Sequence, residues 1–154
     1  MGSGVTNLFG GRLCGTMDLV KSGAANSLMT LWGTNALSGK VTVSGGTLAL
    51  GATGVLGAGC TNVTVSAGAL MLQSSSALAG SVTVNLASGG GAKVSLSSGV
   101  NQSVAYLFVD GQMQRAGTYG SQNSQAANKS DTLFAGQGVL TVRLDNAGTQ
   151  VLLK

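Results

Sequence analysis

The sequence contains no histidine, no glutamate and no proline, and its carboxylate side chains are limited to Asp18, Asp110, Asp131 and Asp145. Each absence removes a class of chemistry. A nucleophilic serine needs a base beside it, and no histidine is available to serve. Zinc sites draw on several Cys or His ligands, and the chain offers two cysteines. Glycoside cleavage needs paired carboxylates, and the four aspartates are far apart in sequence. Asp110 and Asp145 sit in turn contexts, where Asp favours the turn by bonding its own backbone. The Gly89-Gly90-Gly91 run is not followed by the Gly-Lys-Ser/Thr and helix of a phosphate loop, so it reads as a corner. Calcium-binding Gly-rich repeats carry an aspartate in every unit, and this chain does not. The expectation is a protein that is not an enzyme, with no catalytic, cofactor-binding or metal-ligating residues.

Charge is also scarce: 8% of residues are charged, against about 25% in an ordinary soluble domain. The eight basic residues, Arg12, Lys21, Lys40, Lys93, Arg115, Lys129, Arg143 and Lys154, never form a run. Aromatics make up 4% of the chain. A nucleic-acid surface clusters its cations and interleaves stacking rings, so nucleic acid is not an expected partner. No stretch approaches the ~20 apolar residues of a membrane span. The first residues, Met1-Gly2-Ser3-Gly4-Val5, lack the basic and apolar regions of a signal peptide. The expectation is that a leader is removed ahead of this numbering or that the sequence is a fragment.

What the chain has is glycine, 26 residues of it, an apolar fraction of 44%, and an internal repeat. Residues 41–50 read VTVSGGTLAL and residues 63–72 read VTVSAGALML; seven of ten positions are identical at an offset of 63 − 41 = 22. Leu56 maps onto Leu78 at the same offset, and a third copy opens at Val82-Thr83-Val84. Weaker echoes are Leu28-Met29-Thr30-Leu31 and Val139-Leu140-Thr141-Val142. Within a unit apolar residues alternate with others, the two-residue period of a strand. Gly45-Gly46 and Ala67-Gly68 mark corners between strands, as do residues 51–54 and 73–76.

A unit of about 22 residues with two or three short strands fits one coil of an all-β β-solenoid, a parallel β-helix. Val41, Val43, Leu48, Leu50, Val63, Val65, Leu70, Leu72, Leu78, Val82 and Val84 then face inward. Thr42, Thr64 and Thr83 would form an outward ladder. Length allows about seven coils at most, from 154 residues at 22 each.

Residues 19–50, LVKSGAANSLMTLWGTNALSGKVTVSGGTLAL, resemble the autotransporter-associated β-strand repeat, also called the passenger-associated transport repeat. Leu19, Lys21, Gly23, Leu28, Leu31, Asn35, Gly39, Val43, Ser44, Gly46, Thr47 and Leu48 sit where that pattern asks. Residues 106–120, YLFVDGQMQRAGTYG, and 134–142, FAGQGVLTV, are similar to the C-terminal segment of large bacterial surface proteins built from such repeats. The resemblance implies a secreted or cell-surface β-helix that serves as stalk, adhesin or fibre. It departs from the family in having no membrane-translocator barrel after the repeats, so self-transport through an outer membrane is not expected.

Three segments follow from this reading. Residues 1–18 match the repeat poorly and form an N-terminal segment, apolar around Val5, Leu8, Phe9 and Leu13, suited to donation as an intersubunit strand. Residues 19–105 carry the β-helix repeats. Residues 106–154 form a hairpin-like C-terminal cap closing the solenoid: a strand over Tyr106–Val109, a turn at Asp110-Gly111, its return over 112–115, a polar loop over 121–130, and strands over 139–144 and 150–153 flanking a turn signal at 145–148. Cys14 and Cys60, 46 residues apart, are read as free thiols, as an intrachain bridge, or as interchain bridges. The function expected is a non-catalytic extracellular or cell-surface structural protein, self-associating head to tail into a homopolymer. The alternative is a ligand-binding β-helix, carbohydrate- or ice-binding, with Trp32 and Tyr119 the aromatics a glycan would use.

Overall fold

The computed structural model describes residues 6–145. Val5, most of the 145–148 turn signal and the strand expected over 150–153 lie outside them. The chain is all-β, and its strands stack as a parallel β-solenoid. One side is a six-stranded sheet: Thr6–Phe9, Leu28–Leu31, Thr47–Leu50, Ala69–Leu72, Lys93–Leu96 and Phe134–Ala135, all parallel. The second side stacks Leu19–Lys21, Val41–Val43, Asn62–Val65, Thr83–Leu86 and Tyr106–Val109 in parallel and ends on antiparallel Gln112–Met113. The third side is narrower. It pairs Cys14–Gly15 with Ala36–Leu37, continues through a Thr34–Val55 bridge, and ends with Val139–Val142 beside Asn101–Val104. Five full coils and a partial sixth result.

The core is a set of columns. Leu19, Val41, Val63, Val84 and Leu107 stack in register on the second sheet, with steps of 22, 22, 21 and 23 residues. Phe9, Leu31, Leu50, Leu72 and Leu96 stack on the first. All eleven residues expected to face inward are buried, none more than 3% exposed. At about 25 cal/mol per Å² of apolar area removed from water, this shared interior is what holds the coils together.

Two details of the repeat differ from the expectation. Val84, not Val82, pairs with Val63, and Leu86 pairs with Val65. Val82 is buried just ahead of the strand, where its carbonyl accepts from Ala105 N at 2.8 Å. Val82, Val84 and Leu86 alternate along one face, so a two-residue slip keeps every side chain on its side of the sheet. The outward ladder is corrected with it: Thr42 and Thr64 are followed by Asn85 and Phe108, while Thr83 lies between Asn62 and Tyr106.

Residues 6–18, set apart for their poor match, belong to the first coil. Thr6–Phe9 pairs with Leu28–Leu31 at a step of 22, the same as Leu19 to Val41. The match is hidden because only the inward Phe9 keeps its apolar character; Asn7 lies under Met29 and Leu8 under Thr30. Lys21 occupies the inward register above which Val43 and Val65 sit, yet it is buried. Its ammonium bends into the corner and donates to Ser22 O at 2.7 Å, Ser27 Oγ at 2.8 Å and Gly45 O at 3.3 Å. The corner above it must be glycine: Gly46 has φ +70°, and a Cβ there would stand 2.5 Å from Lys21 Nζ.

The C-terminal hairpin at Tyr106–Val109 and Gln112–Met113 forms as the Asp110-Gly111 signal predicts. Both turn residues have positive φ, 51° and 79°, the geometry of a two-residue hairpin turn. The remainder is less hairpin-like than expected. Val139–Val142 continues the solenoid in parallel on Asn101–Val104, and Gly117–Gly120 runs antiparallel along its other edge. The 121–130 loop contains a short strand, Asn128–Lys129, parallel to Tyr119-Gly120. Tyr106–Val109, read as the start of the cap, is the second-sheet strand of coil five.

Candidate functional site

The carboxylates are the natural place to seek chemistry, and each described one holds backbone. Asp18 Oδ1 accepts from Lys40 N at 2.7 Å, and Asp131 Oδ1 from Gln122 N at 2.9 Å. Asp145 Oδ2 accepts from Ala116 N at 2.6 Å. Asp110 accepts from both the N–H, at 2.9 Å, and the hydroxyl of Ser88. These bonds hold the Asp110 carboxyl below its ordinary range. The turn reading is corrected for Asp110, whose oxygens reach Ser88, 22 residues away, and Asp145 Oδ2 also reaches another segment, 29 residues away. Among the described residues, no three His, Cys, Asp or Glu side chains gather closely enough to hold a metal ion.

The thiols are separate. Cys14 is exposed in coil one, and Cys60 is fully buried in coil three, its Sγ 3.8 Å from Asn62 O. Both are free. Burial pushes the Cys60 thiol up, partly offset by its backbone hydrogen bond at Asn62.

The two aromatics considered for glycan stacking serve packing. Trp32 is 39% exposed, and its ring lies against Gly51, where a Cβ would fall 2.5 Å from the indole. Tyr119 is buried, donates to Arg115 O at 2.7 Å, and has its ring centre 6.2 Å from that of Phe134. Burial, then the charge of Asp145, raises its phenol above the ordinary value. An ice-binding face needs a regular threonine array, and the Thr column here has two rungs, Thr42 and Thr64.

Comparison with protein-family models, with characterised proteins and with solved structures finds no match to this chain.

Two surfaces remain. The first is the edge of coil one. Thr6–Phe9 and Leu19–Lys21 are terminal strands of their sheets. Leu19 N donates upward to Lys40 O and Lys21 O accepts from Ser44 N, so the alternation of a parallel ladder turns the N–H and C=O of Val20 outward. By the same logic Phe9 O, which accepts from Trp32 N, leaves Leu8 facing out. Leu8, Met17 and Val20 are 69%, 63% and 61% exposed. The second is a cleft of about 650 Å³ at the other end, between the Ser98–Asn101 corner and the loop above it. It includes Asn101, Thr118, Asn123, Gln125 and Gln137, none of which the sequence pattern singles out: Asn101 is an outward position of coil five, and the others lie beyond the repeat.

Proposed function

We propose that this chain is a non-catalytic structural module of an extracellular or cell-surface protein, a β-solenoid stalk or fibre subunit of the autotransporter-associated-repeat kind. The observation that carries the reading is the coil-one edge. It keeps the solenoid register, it turns backbone groups of Leu8 and Val20 outward, and it surrounds them with exposed apolar side chains. Such an edge templates the addition of another strand layer.

The occupant that fits is a second copy, stacked head to tail. Parallel addition on the first sheet would place Thr6–Phe9 of one copy over Phe134–Ala135 of the next, both terminal strands of that sheet. The other two sides end in Gln112–Met113 and Asn128–Lys129, so the first sheet carries the contact. A heterologous contact of this type propagates as an open filament. Commitment of the four aspartates to main-chain N–H groups supports a non-catalytic role.

Light scattering and electron microscopy of the purified protein test this reading. The expected result is filaments with an axial rise near six strand spacings, about 29 Å. Truncating residues 1–18 would merely expose the next coil's edge. Leu8→Pro is the informative change, since it removes an outward donor at the edge of the first sheet, and it should yield monomers. A monodisperse monomer of the unaltered chain at high concentration overturns the stacking. Turnover of a polysaccharide abolished by changing one aspartate overturns the non-catalytic reading. The ligand-binding alternative draws support from the cleft at the C-terminal end.

A further inference from the structure

We propose that the cleft between the Ser98–Asn101 corner and the 118–139 region binds a neutral oligosaccharide. None of its described lining residues is charged. Its size, about 650 Å³, lies within the range that takes a ligand of a few sugar rings. Val100 and Val139 are its apolar lining residues. Around them stand the carboxamides of Asn101, Asn123, Gln125 and Gln137 and the hydroxyls of Ser98 and Thr118.

The chemistry of these groups selects the ligand. A carboxamide presents a donor and an acceptor side by side, and a sugar hydroxyl is itself both. Carboxylate or phosphate ligands would call for Arg or Lys, and neither is among the described lining residues. The C–H face of a pyranose ring suits the two valines. Asn101 and Thr118 are partly engaged, with Thr141 Oγ1 at 2.6 Å and Ala127 N at 2.9 Å. No described residue bonds the carboxamides of Asn123, Gln125 or Gln137, and all three are exposed.

The backbone that carries them is tied down, as a recognition site requires. Ser121 and Ser124 are each 2% exposed, although they lie in a surface loop. Ser121 Oγ donates to Gly136 O, and Ser124 Oγ donates to Ser121 O at 2.7 Å while accepting from Ala126 N at 3.2 Å. Asp131 holds Gln122 N. Across the cleft, Val139 N donates to Val100 O at 2.8 Å and Gly138 N to Leu96 O at 3.0 Å. The amide-bearing loop and the corner opposite are thus joined through the first and third sides of the solenoid. With no aromatic platform in the cleft, affinity should be weak, with Kd near ~1 mM.

Titration of the full ¹⁵N-labelled chain with maltotriose, cellotriose, xylotriose and N,N′,N″-triacetylchitotriose tests the proposal. At least one should shift the side-chain amide signals of Asn123, Gln125 and Gln137 saturably. Gln125→Ala combined with Gln137→Ala should weaken that binding at least tenfold while leaving the remaining spectrum folded. Gln73→Ala, on an exposed corner elsewhere, should leave it unchanged. The proposal is overturned if none of the four sugars shifts these signals at about ten times that Kd. It is also overturned if the double variant binds normally, if the shifts map to Trp32, or if acetyl-trialanine amide shifts the same signals equally. Because filaments would broaden these signals, the titration is run on the full chain carrying Leu8→Pro, so that its outcomes stand apart from the stacking.

Discussion

The carboxamide of Gln102 completes both main-chain hydrogen bonds of Leu78: Oε1 accepts from Leu78 N at 3.0 Å, and Nε2 donates to Leu78 O at 2.9 Å. A side chain here does what a neighbouring strand does elsewhere. On the third side Leu56 N bonds Ala77 O directly, whereas 24 residues separate Leu78 from Gln102. The amide, 1% exposed, spans the layer between coils four and five at this position. Asn35 acts similarly between the first two coils, accepting from Leu13 N at 2.8 Å and donating to Gly33 O at 3.0 Å.

Gln102→Leu keeps the volume but leaves Leu78 N–H and C=O unpaired in the interior. An unsatisfied buried polar group costs about 1–3 kcal/mol, so a loss of roughly 2–4 kcal/mol is expected. Urea denaturation measures it. The comparison is Gln73→Leu, which should change stability by no more than ~0.5 kcal/mol. Equal effects from both would mean that the amide bridge contributes nothing.

Leu50 and Leu72 are adjacent members of one inward column, both fully buried. Leu50→Ala and Leu72→Ala should each cost about 2–5 kcal/mol. Because the two sites share a cavity wall, the double variant should depart from additivity. Unchanged denaturation midpoints for both single variants would refute the column.

The thiols should differ sharply in reactivity. Cys14 is exposed, whereas Cys60 is buried and its thiol is pushed toward the protonated form. A thiol reagent at neutral pH should therefore label Cys14 quickly and Cys60 only after denaturant is added. Mass spectrometry of the labelled peptides reads the outcome, and rapid labelling of Cys60 in the folded protein would contradict its placement.

Asp110 has its folded-state carboxyl held below the ordinary value by the Ser88 hydroxyl and N–H. A depressed carboxylate contributes stability above its unfolded value, about 3.9, and loses it as pH falls through the lower folded value. Asp110→Asn should thus flatten the acid side of the stability–pH curve below about pH 4. The effect should be small, since the side chain is exposed, and a variant as acid-sensitive as the parent would show that the Ser88 contact carries no linkage.

The sequence by itself determined the architecture of the repeats. A two-residue alternation recurring at 22 residues specifies strands with one inward face, and single coils cannot bury that face alone, so stacking follows from composition and period. Glycine at the corner over Lys21 and the Asp110-Gly111 turn were legible for the same reason, because local backbone geometry demands them. Only the tertiary structure decided the rest. Val84 rather than Val82 pairs with Val63 because alternation is blind to a slip of two, and the length of the preceding corner settles it. Coil one was hidden because its upper neighbour, not its own apolar pattern, recruits Thr6–Phe9. Asp131 and Asp145 reach backbone within the C-terminal excursion, whereas the roles of Gln102, Asn35, Asp18 and Asp110 depend on which backbone groups lie one layer away. Those neighbours are set by the steps of 19 to 24 residues between layers, which vary from coil to coil. The cleft arises where the chain leaves the repeat after coil five, and its amides meet only because that excursion folds back onto the last coil.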